Sequence, residues 1–151
     1  MNQSTVIPLN SEQDTIALAA WLAPRLQAGD ILTLNGDLGS GKTFFANYIG
    51  HYLGVAEKLD SPSFVLMKEY YSGRLPLYHL DLYRIRHATE LYDLGIFDLI
   101  ETGITLIEWP ERAEDLLPEA SYKLVFHFDG LTRYVELCPG ADYITEHKQE
   151  L

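Results

Sequence analysis

The sequence of 151 residues contains a single cysteine, Cys138, so no disulfide can form within the chain. It has no apolar run that approaches the ~18 residues of a membrane span. Its first residues also lack the basic region and the following apolar stretch of a secretion signal. We therefore expect a cytoplasmic protein that does not associate with a membrane.

Basic residues are also few, since 11 Lys and Arg stand against 22 Asp and Glu, for a formal net charge of -11. Such a charge repels a polyanion unless the few cations cluster on one face. Direct binding of nucleic acid is therefore disfavoured. The excess of acidic residues is compatible with simple solubility and with a basic protein partner, and composition alone does not distinguish these two possibilities.

Low-complexity segments and internal repeats are missing as well, and 47% of the residues are hydrophobic against 22% charged, as in a globular chain. A chain of this length can close one hydrophobic core without a structural metal. We predict a single domain over residues 1–141, followed by a polar tail over 142–151.

The first third of the chain reads as helix, strand, glycine-rich loop and helix. The segment Ser11-Glu12-Gln13-Asp14 has the pattern of a capping box, and apolar residues continue at helical spacing towards Gly29. Pro24 is expected to kink or shorten this helix. An apolar strand at 31–34 and a helix at 42–53 follow on either side of the glycine-rich loop. This is the order that a phosphate-binding P-loop requires.

The rest of the chain is richer in strand patterns, and Asp129-Gly130 indicates a tight hairpin. Strands are predicted at 64–71, 77–83, 104–107, 122–128 and 132–137, and short helices at 89–94 and 111–117. The fold class that this order predicts is α/β, with a three-layer P-loop NTPase-like mixed sheet. Its parallel centre should carry a ligand at the carboxyl edge, and the C-terminal hairpin should be antiparallel.

The motif Gly36-Asp37-Leu38-Gly39-Ser40-Gly41-Lys42-Thr43 is the strongest functional signal in the sequence. Glycines let the backbone curl so that successive amides point at phosphate oxygens, which larger side chains would block. Lys42 would supply a charge for the β- and γ-phosphates and Thr43 a hydroxyl for Mg²⁺. The helix that follows would place its positive end beneath the phosphates. The motif predicts a protein that binds a nucleoside triphosphate with magnesium.

Two acidic residues at strand ends are candidates for the additional groups that hydrolysis needs. Alternation along 77–83 places His79, Asp81 and Tyr83 on one face, with Asp81 near the end of the strand. Glu108 ends the apolar strand 104–107, as a magnesium-binding acid beside a P-loop does. Glu108 is the first choice for a second protein contact to Mg²⁺, although a surface carboxylate that closes a strand is the alternative for either acid.

Three further polar or aromatic positions lie near these strands. Trp109 either belongs to the core, which the sequence favours, or covers the nucleotide pocket from water. His79 is better interpreted as a hydrogen-bonded strand histidine than as a metal ligand, because no other His or Cys has a matching spacing. Ser63 lies in a loop that either senses a γ-phosphate or simply turns the chain at Pro62.

Together these segments resemble the TsaE family, formerly called YjeE, small bacterial ATPases that take part in making threonylcarbamoyladenosine in transfer RNA. The phosphate loop is common to many proteins, whereas the His-x-Asp-x-Tyr-Arg strand and the Glu-Trp-Pro corner are far more particular to this family. The segments that carry the resemblance are Gly36 to Thr43, Ser61-Pro62-Ser63-Phe64, Tyr78-His79-Leu80-Asp81-Leu82-Tyr83-Arg84, Glu90-Leu91 with Gly95-Ile96, and Ile107-Glu108-Trp109-Pro110.

The resemblance implies site residues for ATP and Mg²⁺. Thr43 and Glu108 would hold the metal, and Asp81 would be needed for hydrolysis together with Lys42 and Glu108. Ser63 replaces the family's usual Thr but keeps the hydroxyl. The phosphates would be wrapped by Leu38, Gly39, Ser40, Gly41, Lys42 and Thr43. Ser11, Trp109, Arg112 and Arg133 would lie near the nucleotide.

The resemblance also implies that the protein does not itself modify the RNA. It would bind the TsaD–TsaB enzyme pair and use ATP hydrolysis to reset it between turnovers, reaching tRNA only indirectly. The charge of -11 agrees with a role exerted through a protein partner.

Other functional classes compete with this interpretation. A small-molecule P-loop kinase shares the first motif, but it needs an arginine-bearing lid over its acceptor, and the segment 60–84 has no such pattern. A signalling GTPase would carry Asn-Lys-x-Asp and Asp-x-x-Gly segments, neither of which occurs, so ATP is preferred over GTP. A third possibility is a binding module whose nucleotide only stabilises a shape that a partner recognises, without meaningful turnover.

Overall fold

The computed structural model describes residues 4–62, 64–140 and 142–143. Within them the chain forms seven strands: β1 (Thr5–Pro8), β2 (Ile31–Asn35), β3 (Met67–Tyr70), β4 (Leu77–Asp81), β5 (Ile104–Glu108), β6 (Tyr122–Phe128) and β7 (Arg133–Cys138). They make one sheet in the order β1-β7-β6-β2-β5-β4-β3. The four central strands β6, β2, β5 and β4 are parallel, and β1, β7 and β3 join them antiparallel.

Helices cover both faces of the sheet. The α-helices are α1 (Glu12–Leu22), α2 (Lys42–Tyr52), α3 (Glu90–Asp93) and α4 (Ile96–Leu99), and 3-10 turns lie at Ala23–Arg25, Ile100–Thr102 and Pro110–Ala113. Leu18 of α1 and Phe45 of α2 are buried in one apolar cluster with the sheet. Leu91 of α3 and Ile96 of α4 are buried in a second cluster on the opposite face. The predicted three-layer α/β fold with a parallel centre and a C-terminal antiparallel hairpin is confirmed.

Alternation along the central strands explains why the protein has two apolar layers. In β2, Ile31 belongs to the second cluster whereas Leu32 and Leu34 belong to the first. In β4, Leu77 belongs to the first and Leu80 to the second. Strands with both faces covered by helices are largely apolar, as parallel strands usually are. The sheet therefore holds its carboxyl edge rigidly between two packed layers.

The first helix begins where the sequence predicts but ends earlier. Ser11 is its N-cap residue, yet its side chain makes no capping hydrogen bond. Instead the carboxylate of Asp14 accepts the backbone N–H of Asn10 at 2.8 Å. The α-helical part ends at Leu22, and Pro24 lies in the following 3-10 turn, as expected for a residue without a backbone N–H.

Strands β3 and β4 are shorter than the predicted strands 64–71 and 77–83. The carbonyl of Pro62 accepts the N–H groups of Val65 and Leu66, and Leu66 has a positive φ of 67°, so the chain turns before β3 starts. At the other end of the pair, a carboxylate oxygen of Asp81 accepts the N–H of Tyr83 at 3.0 Å, which turns the chain at the end of β4.

Three elements differ more strongly from the predictions. Strand β1 was not predicted, because it is four residues long and its pairing partner β7 lies at the far end of the sequence. The single-turn helix α4 was also missed. The predicted helix 111–117 is wrong in length: the 3-10 turn ends at Ala113, whose carbonyl then accepts the N–H groups of Leu116 and Leu117 in further turns.

Tyr143, which the prediction assigns to the polar tail, is buried and packs edge-on against Trp21 with ring centroids 5.1 Å apart. The packed core thus reaches this residue, and the remainder of that predicted tail, 144–151, lies outside the described residues. None of the helices in the described part of the chain is long and apolar enough to cross a membrane.

Candidate nucleotide-binding site at the carboxyl edge of the sheet

The candidate site lies where three neighbouring parallel strands end. β2 leads into the glycine-rich loop, which enters α2 at Lys42. β5 ends at Glu108 and β4 ends at Asp81, and these two residues are partners in the register of the parallel pair. Glu108 is also the register partner of Leu34 in β2. The sheet therefore brings the loop and both predicted acidic residues to one edge, where open α/β sheets bind ligands.

The loop has backbone conformations that glycine favours. Gly36, Gly39 and Gly41 have φ values of 146°, 80° and 108°. A Cβ atom on Gly36 would lie 2.7 Å from the hydroxyl of Ser40 and 2.8 Å from the carbonyl oxygen of Phe126. Gly36 is thus required both for its conformation and for its close approach to the hairpin β6–β7.

Ser40 is buried within this loop, and its hydroxyl makes no hydrogen bond in the described structure. A buried hydroxyl without a partner is unfavourable, and such groups usually mark a place where a ligand or water binds. The loop therefore contains a polar group whose partner a bound phosphate oxygen can provide.

Lys42 is folded back into the loop and is only 5% exposed. Its Nζ donates a hydrogen bond to the carbonyl of Gly36 and lies 3.7 Å from the ring centroid of Trp109. Burial lowers the pKa of Lys42 from its usual value, while the carboxylates of Glu108 and Asp81 act in the opposite direction. A polyphosphate would offer this desolvated ammonium group a stronger partner than the carbonyl and the ring.

Glu108 is buried and bound on both of its carboxylate oxygens. The hydroxyl of Thr43 donates to Oε1 at 3.3 Å, and Nε2 of His79 lies 2.7 Å from Oε2. The hydroxyl and the carboxylate predicted to hold Mg²⁺ are therefore in contact at the first turn of α2. Oxygen donors of this kind suit Mg²⁺, which is usually held by one or two protein groups together with phosphates and water.

Asp81 lies beside this pair and is likewise buried. The hydroxyl of Ser61 donates to Oδ2, and the N–H of Tyr83 donates to Oδ1. Asp81 thus connects the end of β4 with the segment that leads towards Ser63. Ser63 itself lies outside the described residues.

Trp109 follows Glu108 in a left-handed conformation with φ of 59°, which turns its ring across the edge of the sheet. One side of the ring faces Lys42, and the ring of Tyr83 lies 4.9 Å away. The guanidinium of Arg112 is 5.8 Å from the Trp109 ring and 5.5 Å from that of Tyr83. Trp109 is half-buried and packs against the second apolar cluster, so it is both a core residue and a wall of the site.

On the other side of the loop, a cavity of about 380 Å³ lies between the start of α1 and the hairpin. Ser11, Phe44 and Arg133 line it together with Ser40 and Gly41 of the loop. The guanidinium of Arg133 donates to the carbonyl of Gly39 at 3.3 Å. The structure therefore brings Ser11 and Arg133 to the loop from distant parts of the sequence.

Leu38 and Arg112 lie at the periphery of the candidate site. Leu38 is 69% exposed at the tip of the loop and lines a separate cavity of about 350 Å³ with Phe128 and Asp129. Another cavity of about 380 Å³ is lined by Asn35, Glu111 and Lys123 on the far side of Pro110. The compact group at the sheet edge consists of Lys42, Thr43, Asp81, Glu108 and Trp109, which are joined by contacts and by the register of β4 and β5.

Two contacts within this group were not predicted from the sequence. Ser61 has no partner assigned from the sequence, and a hydrogen bond is predicted for His79 without a partner. A signal for the His79 contact is present in the sequence: the period-two alternation along β4 puts His79 on the same face of the strand as Asp81. Among the described residues no group of three or more His, Cys, Asp or Glu side chains is arranged to hold a metal ion.

Comparison with known proteins shows which family the chain resembles. The family model described as "Threonylcarbamoyl adenosine biosynthesis protein TsaE" matches residues 9–134. A curated "tRNA threonylcarbamoyladenosine biosynthesis protein TsaE" from Rickettsia conorii is 38% identical over 142 residues, which cover 93% of this chain and 78% of the relative. The protein of the same description from Bacillus subtilis is 40% identical over 114 residues, or 75% of this chain and 71% of the relative. The crystal structure of Bacillus subtilis YdiB is similar with a TM-score of 0.77 and 29% identity, over 99% of this chain and 95% of that chain.

Proposed function

This chain belongs to the TsaE family of tRNA threonylcarbamoyladenosine biosynthesis, and from that membership we propose that it is a Mg²⁺-dependent ATPase that assists this modification through the TsaD–TsaB complex. The observation that carries the proposal is the contact of Thr43 with Glu108 directly beneath the glycine-rich loop. A metal-binding hydroxyl, a carboxylate and a phosphate-binding lysine at one sheet edge are the groups that P-loop hydrolysis needs.

The residues of the site fit ATP with Mg²⁺ as the substrate. Backbone amides of the loop and the start of α2 would bind phosphate oxygens, and the unpartnered hydroxyl of Ser40 would donate to one of them. Lys42 would exchange the carbonyl of Gly36 for phosphate oxygens. Thr43 and Glu108 would hold Mg²⁺, which when bound supplies positive charge that neutralises the phosphates. Asp81 would orient the attacking water or support the metal ligands.

The base and ribose end of the nucleotide would lie in the cavity of about 380 Å³ between Ser11, Phe44 and Arg133. This cavity adjoins the loop at Ser40 and Gly41 and has the size of an ordinary small-molecule site. Phe44 offers an aromatic surface and Arg133 a cation at its mouth. Trp109, on the opposite side of Lys42, would exclude water from the phosphate end.

The proposed role through protein partners is supported by the charge of the chain. A formal net charge of -11 opposes direct contact with tRNA, whereas it favours a basic surface on a protein. We propose that the protein works in the cytoplasm and reaches tRNA only through TsaD and TsaB. The competing small-molecule kinase would need an arginine-bearing lid, whereas the described residues between Asp60 and Arg84 form the β3–β4 pair and its turns.

The test is Mg²⁺-dependent ATP hydrolysis by the purified protein, alone and with a TsaD–TsaB complex, with Lys42→Ala as the control. We expect slow hydrolysis that changes when the partners are added and is lost in the variant. Fast hydrolysis whose rate does not change when TsaD–TsaB is added would favour the kinase. Transfer of phosphate to a metabolite in a screen of acceptors would favour it as well. Nucleotide binding without measurable turnover in any combination would favour a pure binding module.

A further inference from the structure

His79 is the most completely buried polar side chain next to the candidate site. It lies in the middle of β4 with no exposed surface, and Glu108 beside it is 2% exposed. Nε2 of His79 is 2.7 Å from Oε2 of Glu108, and its other ring nitrogen, Nδ1, has no hydrogen-bond partner among the residues that the structure describes. A polar ring in such a place needs a reason, because an apolar side chain would fill the strand without an unsatisfied atom.

The two oxygens of Glu108 are held by different parts of the fold. Thr43 at the start of α2 binds Oε1, and His79 from the neighbouring strand binds Oε2. The hydrogen bond from His79 therefore fixes the rotation of the carboxylate and leaves Oε1 directed towards Thr43. We propose that His79 is a positioning residue that orients Glu108 for Mg²⁺; this inference rests on the proposed function.

The tautomer of the ring follows from the same contacts. A proton on Nε2 is donated to the carboxylate, which cannot itself donate when ionised. A proton on Nδ1 would be a buried donor without an acceptor, which is more costly than an unused lone pair. His79 thus carries its proton on Nε2, and its ring acts only through that hydrogen bond. Groups that orient a metal-binding side chain in this way typically change metal affinity 10–100-fold when they are removed.

The sequence of the site offers a matched set of variants. In His79→Gln the side-chain amide can place an N–H near the position of Nε2, whereas His79→Leu removes the donor and leaves Oε2 of Glu108 buried without a partner. Thr105→Val is the control, because Thr105 is fully buried in β5 and its hydroxyl also has no partner. It changes a buried polar residue of the same sheet without touching Glu108.

The experiment measures the affinity of a non-hydrolysable ATP analogue by calorimetry, with Mg²⁺ and with EDTA, for the wild type and the three variants. We expect the factor by which Mg²⁺ strengthens binding to fall about tenfold in His79→Leu, with the affinity in EDTA unchanged. The strengthening by Mg²⁺ should be close to the wild-type value in His79→Gln and equal to it in Thr105→Val. A wild-type factor in His79→Leu, or an equal loss in EDTA and in Mg²⁺, would overturn the positioning role.

A second measurement reads the protonation of the ring directly in the wild-type protein. The ¹⁵N shifts of histidine-labelled wild-type protein should show a ring with the proton on Nε2, and this signal should be absent from His79→Gln. A ring protonated on Nδ1 instead would contradict the inference. If Mg²⁺ has no effect on nucleotide binding by the wild type, both the proposed function and the positioning role of His79 are refuted. If Mg²⁺ strengthens binding equally in the wild type and in His79→Leu, only the positioning role is refuted.

Discussion

Replacement of Gly36 by Ala should damage the phosphate loop far more than the same replacement of Gly39. Both glycines have positive φ, 146° and 80°, so an alanine is strained at either position. The neighbours differ: a Cβ on Gly39 meets nothing within 4 Å, whereas on Gly36 it meets the Ser40 hydroxyl at 2.7 Å and the Phe126 carbonyl at 2.8 Å. The pair therefore separates conformational strain from steric overlap.

The expected losses in the free energy of unfolding follow from the conformational strain and the steric overlap. Strain alone should reduce the free energy of unfolding of Gly39→Ala by about 1–2 kcal/mol. Gly36→Ala adds an overlap with backbone that cannot move aside, which raises the loss to about 3–5 kcal/mol. For a protein of this size, each kcal/mol lowers the unfolding temperature by about 2–4 °C. The additional loss of about 2–3 kcal/mol in Gly36→Ala should therefore separate the two unfolding temperatures by roughly 4–12 °C.

Urea and thermal unfolding without nucleotide, followed by circular dichroism, measure these losses. The same proteins should then be titrated with ATP analogue, because Gly36 also supplies the carbonyl that binds Lys42. We expect Gly36→Ala to lose nucleotide affinity as well as stability. If Gly36→Ala is no less stable than Gly39→Ala, the close approach of the loop to Phe126 does not constrain the fold and the reasoning is wrong.

Two further predictions concern the charged groups. Glu108→Ala should weaken Mg²⁺-dependent nucleotide binding, whereas Asp81→Ala should spare binding and reduce turnover; equal affinities and rates in the two variants would contradict this division of roles. Because burial lowers the pKa of Lys42, the folded protein binds fewer protons than the unfolded chain between that lowered value and 10.5, and stability rises with pH in this window. The free energy of unfolding of the wild type minus that of Lys42→Met should therefore increase as the pH rises towards 10.5 in urea titrations without nucleotide, and a constant difference would show that Lys42 is not desolvated.

The parts of the site that lie next to one another in the sequence could be predicted from it. The glycine-rich loop is contiguous, so its spacing alone indicates the backbone shape between β2 and α2, and the structure has that order. The acidic ends of β4 and β5 could be predicted because an apolar strand that ends in a carboxylate has a recognisable pattern. Their meeting at one edge needed only the rule that parallel strands end together.

Contacts between distant segments could not be predicted in the same way. That His79 reaches Glu108 depends on the register of β4 against β5, where His79 is opposite Leu106. That Arg133 reaches Gly39 depends on β6 lying next to β2 rather than at the rim of the sheet. Neither register nor strand order has a local sequence signal, because both result from the packing of the whole sheet. The short strand β1 was missed for the same reason.

The side chains of the candidate site are bound largely to one another and to the neighbouring backbone. Lys42 is held by a carbonyl and an indole ring, Thr43 by Glu108, and Asp81 by Ser61 and Tyr83. The nucleotide binding that we propose would therefore exchange internal hydrogen bonds for bonds to phosphate and metal, and only the difference between them would contribute to affinity. Two groups need not exchange a partner: the hydroxyl of Ser40, which has none among the described residues, and the hydrogen-bonded His79–Glu108 pair. These groups should set the geometry around which the exchanging side chains rearrange.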